Sequence, residues 1–267
     1  MFRTVRAISY VTPLREGGSL PGLLEADDDG TYVVKFRGAG QGTAALVAEV
    51  VVTELARQLG IRVPDLVVVD LDPAIGRAEP DFEVQELLTS SVGANLGVDF
   101  LPGSVGYDGL GWRAPAAEAA RILWLDAYTA NVDRTWRNPN LLIWHRKLWA
   151  IDHGAALVFQ HAWPDVAAWA VRRYDVSAHV LAPILADLAH ANPDAASGLL
   201  ARTDTELAAA VTPELLDAVL ALVPDQWLLT MNSAQAGVDA AGYRGRYRKY
   251  LLARLAPPRP WRLEAAP

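Results

Sequence analysis

The chain has 267 residues, 52% hydrophobic and 21% charged, a balance that fits one large folded domain or two small lobes and excludes a disordered chain. It contains no cysteine, which excludes disulfide frameworks, thiolate nucleophiles and Cys-ligated zinc. With 24 basic against 31 acidic residues the net charge is −7, so the molecule as a whole repels nucleic acid, and no such partner is expected.

The opening MFRTVRAISYV has neither the apolar core nor the cleavage site of a signal peptide. No apolar run approaches the roughly 20 residues of a membrane span. A soluble, cytoplasmic protein is expected. Residues 3–12 and 31–37 are β-rich runs. Between them REGGSLPGLLEADDDG reads as a glycine-containing loop ending in a turn. Residues 43–59 form the strongest helix, with Gly60 as its stop signal. Pro64 opens a further pair of strands, about 65–71 and 81–88, and 91–114 reads as loop or linker. From Pro115 the pattern is helical, interrupted by a loop and two short strands at 140–144 and 148–151. Beyond 165 it is helical almost throughout, with Pro183, Pro193, Pro213 and Pro224 at helix starts. The outline is α+β: a β-rich lobe over residues 1–90 carrying one helix, then a helical lobe over 91–267.

Chemistry concentrates in the loop after the 116–130 helix, Asn131-Val-Asp-Arg-Thr-Trp-Arg-Asn-Pro-Asn140, and in Ile151-Asp-His-Gly154. Transfer of a γ-phosphoryl group needs a carboxylate at the attacking hydroxyl and oxygen ligands that hold Mg²⁺ against the phosphates. Asp133 and Asn138, five residues apart, supply a base and a neutral metal ligand on one loop. A strand pair then delivers Asp152 as the second metal ligand, with Gly154 allowing a sharp turn. Upstream, Lys35 lies in the apolar strand Tyr-Val-Val-Lys-Phe, where alternation sets it on the same face as Val33. Such a lysine neutralises nucleotide phosphates when a carboxylate orients it. Glu49, inside the apolar helix run LVAEVVV, is the expected partner, because an unpaired carboxylate there is costly. Gly17, Gly18 and Ser19 stand where a phosphate-covering hairpin would lie, matching neither common phosphate-loop pattern, and Gly38–Gly42 form a second candidate loop.

The set VVKF, AEVVVTELA followed by LGIRVPD, NVDRTWRNPN and IDHG resembles the HipA-like kinase family over roughly residues 5–165. The resemblance implies a two-lobed protein-kinase-like fold that binds ATP and Mg²⁺ and phosphorylates serine or threonine on a protein. By position it implies Lys35 as the phosphate lysine, Glu49 as its helix partner, Asp133 as the catalytic Asp and Asp152 as the metal Asp. It sets the adenine hinge near Gln85, Glu86, Leu87 and Leu88, after a strand DFEV, and makes Asn140, just before the apolar strand, an alternative to Asn138 as metal ligand. A nucleotide-binding pseudokinase or adaptor, and a small-molecule or lipid kinase, remain alternatives on the same fold. Among other features, His153 neighbours the site, while His145, His161, His179 and His190 read as surface or cap residues. Most tryptophans read as core, except Trp136, and Tyr243–Tyr250 reads as a solvated basic helix face.

Overall fold

The computed structural model describes residues 2–14, 20–231 and 233–263. Five strands close into a barrel in the order β1-β2-β3-β5-β4: β1 (Thr4–Pro13), β2 (Gly22–Ala26), β3 (Thr31–Lys35), β4 (Leu66–Leu71) and β5 (Gly93–Asp99). The pairing is antiparallel except where β1 meets β4 in parallel, Val5 opposite Val69, which closes the ring. Period-two alternation sorts the side chains: Tyr32 and Val34 join Val5, Ala7, Leu24, Val67 and Val69 in a small core. Val33, on the opposite face of β3, packs against a larger core shared with the helices, and Lys35 follows it on that face.

Three sequence expectations fail here. The stretch 81–88 is not a strand but lies in helix α2 (Phe82–Ser90), whose Asp81 cap accepts from the N–H groups of Glu83 and Val84. Its buried residues, Val84 and Leu88, are four apart, and Phe82 is exposed, so the period is helical. The expected linker 91–114 contains β5, paired with β3 on one side and β4 on the other, so strand pairing continues to Asp99. Glycine disguises this strand in the sequence. At Gly97 a Cβ would stand 2.6 Å from Val69 Cγ2 and 2.7 Å from Val67 Cγ2, so only glycine lets β4 and β5 close. β2 likewise lies within the stretch read as loop.

Helix α1 (Gly42–Gln58) is buried from Thr43 to Ala56, consistent with apolar residues all round it. It ends as expected, with Gly60 at φ 71° and Ile61 N–H donating to Ala56 O at 2.9 Å. The helical part comprises α3 (Ala116–Thr129), α4 (Val166–Ala170), α5 (Ala182–Ala191), α6 (Pro193–Ala210), α7 (Pro213–Leu220), α8 (Asp225–Leu229) and α9 (Ala240–Leu255). Pro193 and Pro213 open their helices, Pro183 is the second residue of α5, and Pro224 caps α8. A small sheet, β6 (Val105–Gly106), β7 (Leu141–Trp144) and β8 (Lys147–Ala150), carries the loop chemistry. Its β7–β8 hairpin turns on His145 and Arg146, both at positive φ. Among the described residues no helix is long and apolar enough to cross a membrane.

The basic segment of α9 is only half a solvated face. Tyr243, Tyr247 and Tyr250, spaced four and three apart, are buried core residues. From the same helix Arg254, 2% exposed, donates to the carbonyls of Ala127 and Tyr128 at the end of α3 and of Ala170 at the end of α4. The cation thus complements the negative ends of two helices whose last carbonyls have no partners within their own helix. Arg254→Met should lower the unfolding free energy by about 3 kcal/mol, read as a shifted urea midpoint at constant slope, because buried carbonyls lose their donors.

Candidate functional site

Three elements converge on Lys35 at the end of β3. Its Nζ donates to Glu49 Oε2 of α1 at 2.6 Å and to Asp152 Oδ1, in the turn after β8, at 2.7 Å. Glu49 is 1% exposed and its Oε2 also accepts the backbone N–H of His153 at 2.6 Å. One carboxylate therefore fixes both the lysine and the Asp-His-Gly turn. Burial disfavours the Lys35 ammonium, but Asp152 and Glu49 outweigh it and hold its pKa well above the ordinary lysine value. For Glu49 burial wins over the lysine and moves its carboxyl upward. The Lys35 charge, against the effect of burial, draws Asp152 downward.

The loop after α3 folds on its own side chains. Asn131 Oδ1 accepts the N–H of Asp133 at 3.2 Å, and Thr135 N–H is shared between the carbonyls of Asp133 and Asn138. Asp133 Oδ2 accepts from Asn138 Nδ2 at 2.7 Å and from Asn140 Nδ2 at 3.2 Å, so both amide oxygens are turned away from this carboxylate. Burial pushes Asp133 upward, the Asn140 hydrogen bond opposes this, and the nearby Asp152 charge adds to it. Asn140 and Asp152 adopt left-handed backbone, φ 48° and 53°, a conformation that costs a non-glycine residue energy and persists only where its surroundings impose it.

What imposes it is a buried network with no counterpart among the sequence motifs. Asp126, in α3, is fully buried and accepts from Arg134 Nε at 2.6 Å, Asn131 Nδ2 at 2.8 Å and His179 Nε2 at 3.0 Å. The Arg134 guanidinium in turn donates to the carbonyls of Asn140 and Ile151 and to His153 Nδ1. It therefore grips the residue before Asp152 and the asparagine before β7 at once. Because Arg134 can only donate, His153 Nδ1 accepts and the ring is neutral. Burial, with the Arg134 charge, moves its pKa down to about 3. His179 is buried in this network and is not the surface or cap residue expected from sequence. The available signal was an Asp inside the apolar helix run RILWLDAYT, the same anomaly that singles out Glu49.

Lys35, Glu49 and Asp152 thus meet directly, and Asp133, Asn138 and Asn140 meet on the adjoining loop. A cleft beside the lysine is lined by Phe36, Ala39, Gln41, Gly42, Asp152 and Gly154 among others, so the second glycine-bearing loop reaches the site. At Gly38 in that loop a Cβ would fall 2.4 Å from Ser90 Oγ and 2.8 Å from Ser91 Oγ, so a larger residue there would have to displace those hydroxyls. Gln85, Glu86 and Leu87 are helical residues of α2 rather than residues following a strand, and none of them lines this cleft; the strand after α2 is β5, ending at Asp99. Gly17, Gly18 and Ser19 lie outside the described residues. Among the described residues no group of three or more His, Asp or Glu side chains is placed to hold a metal ion together.

Arg134 and Asp126 allow a stability test. Burial alone would raise Asp126, yet Arg134 and His179 hold it well below the ordinary carboxylate range. A carboxyl depressed in the folded state stabilises above its unfolded pKa of about 3.9 and loses that contribution as pH falls below it. Asp126→Asn should therefore destabilise the protein by about 3–5 kcal/mol at neutral pH, leaving a buried uncompensated guanidinium, and flatten the acid limb of the stability–pH curve.

The sequence pattern of the HipA-like kinase family matches residues 8–244, which include every site residue named above. Among solved structures, the Helicobacter pylori proinflammatory kinase CtkA is similar over 95% of this chain and 94% of that one, with a TM-score of 0.58 and 10% identity. The Golgi casein kinase is matched over 95% of this chain and 71% of that one, with a TM-score of 0.38 and 13% identity. At such identities the likeness to CtkA shows the fold alone. No curated protein sequence matches the chain. Most of the chain fits the one family pattern, and it belongs to the HipA-like kinase family.

Proposed function

We propose that the protein transfers the γ-phosphoryl group of ATP, with Mg²⁺, to a serine or threonine hydroxyl of a protein. The observation that carries this reading is the contact of Lys35 with Glu49 and Asp152, beside a loop on which Asp133 is held by two asparagines. The barrel with α1 and α2 serves as the nucleotide-binding lobe and the chain beyond Asp99 as the lobe presenting the loop. A cytoplasmic location is part of the same proposal.

The donor set fits a hard cation. Asp152 is partly exposed and ionised, and each asparagine gives its amide N–H₂ to Asp133, which leaves an amide oxygen for a metal. When bound, Mg²⁺ supplies positive charge against the phosphate oxygens. Lys35 leaves Asp152 to take a phosphate oxygen, still oriented by Glu49. The acceptor hydroxyl forms its new P–O bond as the bond to the β,γ-bridging oxygen breaks. Its proton passes to Asp133, whose upward-shifted pKa suits it to receive one. Asn140 is the better metal ligand of the two: its carbonyl is gripped by Arg134 and accepts the Ile151 N–H at 3.0 Å, which ties it to the residue before Asp152, whereas Asn138 is exposed.

With γ-labelled ATP and Mg²⁺, wild-type protein should label itself or a serine-bearing substrate, and Asp133→Ala and Asp152→Ala should each abolish the label. ATP binding without transfer to any lysate component would leave an adaptor. Asn140→Ala should lower kcat on the order of 100-fold and Asn138→Ala less than about tenfold, the reverse order sinking the Asn140 assignment. Asp133 must be ionised to act, so the acid limb of kcat should lie above the ordinary aspartate value of about 3.9.

A further inference from the structure

Many arginines, Arg3, Arg62, Arg121 and Arg248 among them, are tied to a carboxylate. Arg137, Arg172 and Arg173 are exposed, and none meets a carboxylate among the described residues. Two of them are stacked on indole rings: Arg137 lies 4.7 Å from the centre of the Trp136 ring, and Arg172 lies 3.9 Å from that of Trp169. Trp136 is itself 66% exposed, so the Arg137–Trp136 pair stands open to solvent. A stacked guanidinium has already lost much of its freedom and keeps its in-plane N–H donors available. That is the state from which a carboxylate is received bidentately at least entropic cost.

These residues are brought together by one strap. Residues 171–181 lie against the catalytic loop. Tyr174 Oη donates to Asn131 O at 2.7 Å, Trp136 N–H to Ala178 O at 3.2 Å and Val180 N–H to Arg134 O at 3.3 Å, and Thr135 forms an antiparallel bridge with His179. Arg172 and Arg173 stand at the start of this strap, next in sequence to Tyr174, which is bound to the loop that carries Asp133 and Arg137. The carboxylates nearest Arg172 and Arg173 in sequence, Asp165 and Asp175, accept the backbone N–H groups of Ala168 and Ser177, and Asp133, four residues before Arg137, accepts from Asn138 and Asn140. In a molecule of net charge −7, this is a local site for negative charge at the point where an acceptor must approach.

We propose that this surface selects the acceptor, a protein segment whose target serine or threonine is flanked by aspartate or glutamate, with Arg137, Arg172 and Arg173 receiving those carboxylates. The inference rests on the kinase reading and names its substrate class. The test uses the full chain with Mg²⁺ and ATP and two peptides, one with acidic residues around a serine and one with the matching amides. The acidic peptide should be favoured about tenfold in kcat/KM, through KM, and less so at high salt. The triple variant Arg137→Gln, Arg172→Gln, Arg173→Gln should keep the wild-type melting curve, since its sites are exposed, and bring the ratio of the two peptides near one. Equal use of both peptides by the wild type overturns the proposal. If neither is phosphorylated, anisotropy of the labelled peptides decides: binding of the acidic peptide alone, lost in the triple variant, sustains the surface while the kinase reading fails. Equal or absent binding of the two peptides overturns it. So does arginine-dependent binding of a single-stranded RNA without binding of the acidic peptide.

Discussion

The ammonium group of Lys35 is the point on which the site depends. A buried lysine is expensive unless its charge is met, and here it is met from two directions by residues 14 and 117 positions away. Satisfying it requires β3, the interior helix α1 and the turn after β8 to come together, so the electrostatic demand of one side chain aligns barrel and helical part. Glu49 extends the constraint by holding the His153 N–H with the same oxygen. The cleft beside Lys35 is a consequence of that alignment.

A second constraint operates beneath the loop. Asp126 is fully buried with Arg134, and the guanidinium spends its remaining donors on the Asn140 and Ile151 carbonyls and on His153. One of these carbonyls belongs to left-handed Asn140 itself, and Ile151 and His153 flank left-handed Asp152. The strain of that backbone is thus offset by a charge-assisted network, as expected where a fold must hold polar groups ready for chemistry. His179 joins the strap to the same carboxylate, so residues 171–181 and the loop that carries Asp133 share one buried anchor.

What could be read from the sequence were ionisable residues where apolar ones belong. Lys35 in a strand and Glu49 in a helix announce a partner through the penalty of lacking one, and Asp133, Asn138, Asn140 and Asp152 announce themselves by local spacing. Arg134 gives no such signal, because an arginine after an aspartate in a turn is unremarkable until the fold buries it. The strand β5 was hidden because its conformation is set by two neighbours and a close approach at Gly97, not by its own alternation. α2 was misread because Asp-Phe-Glu-Val alternates like a strand over four residues, while its helical period needs eight to show.

The central claim is that Lys35, Asp152 and Asn140 are arranged to hold a metal–nucleotide complex against Asp133. A crystal structure of the full chain with Mg²⁺ and a non-hydrolysable ATP analogue tests this most directly. The account predicts Lys35 Nζ on a phosphate oxygen with Glu49 still beside it, and Asp152 and Asn140 oxygens on the metal. A nucleotide bound elsewhere, or phosphates facing away from an intact Lys35–Asp152 pair, would contradict it.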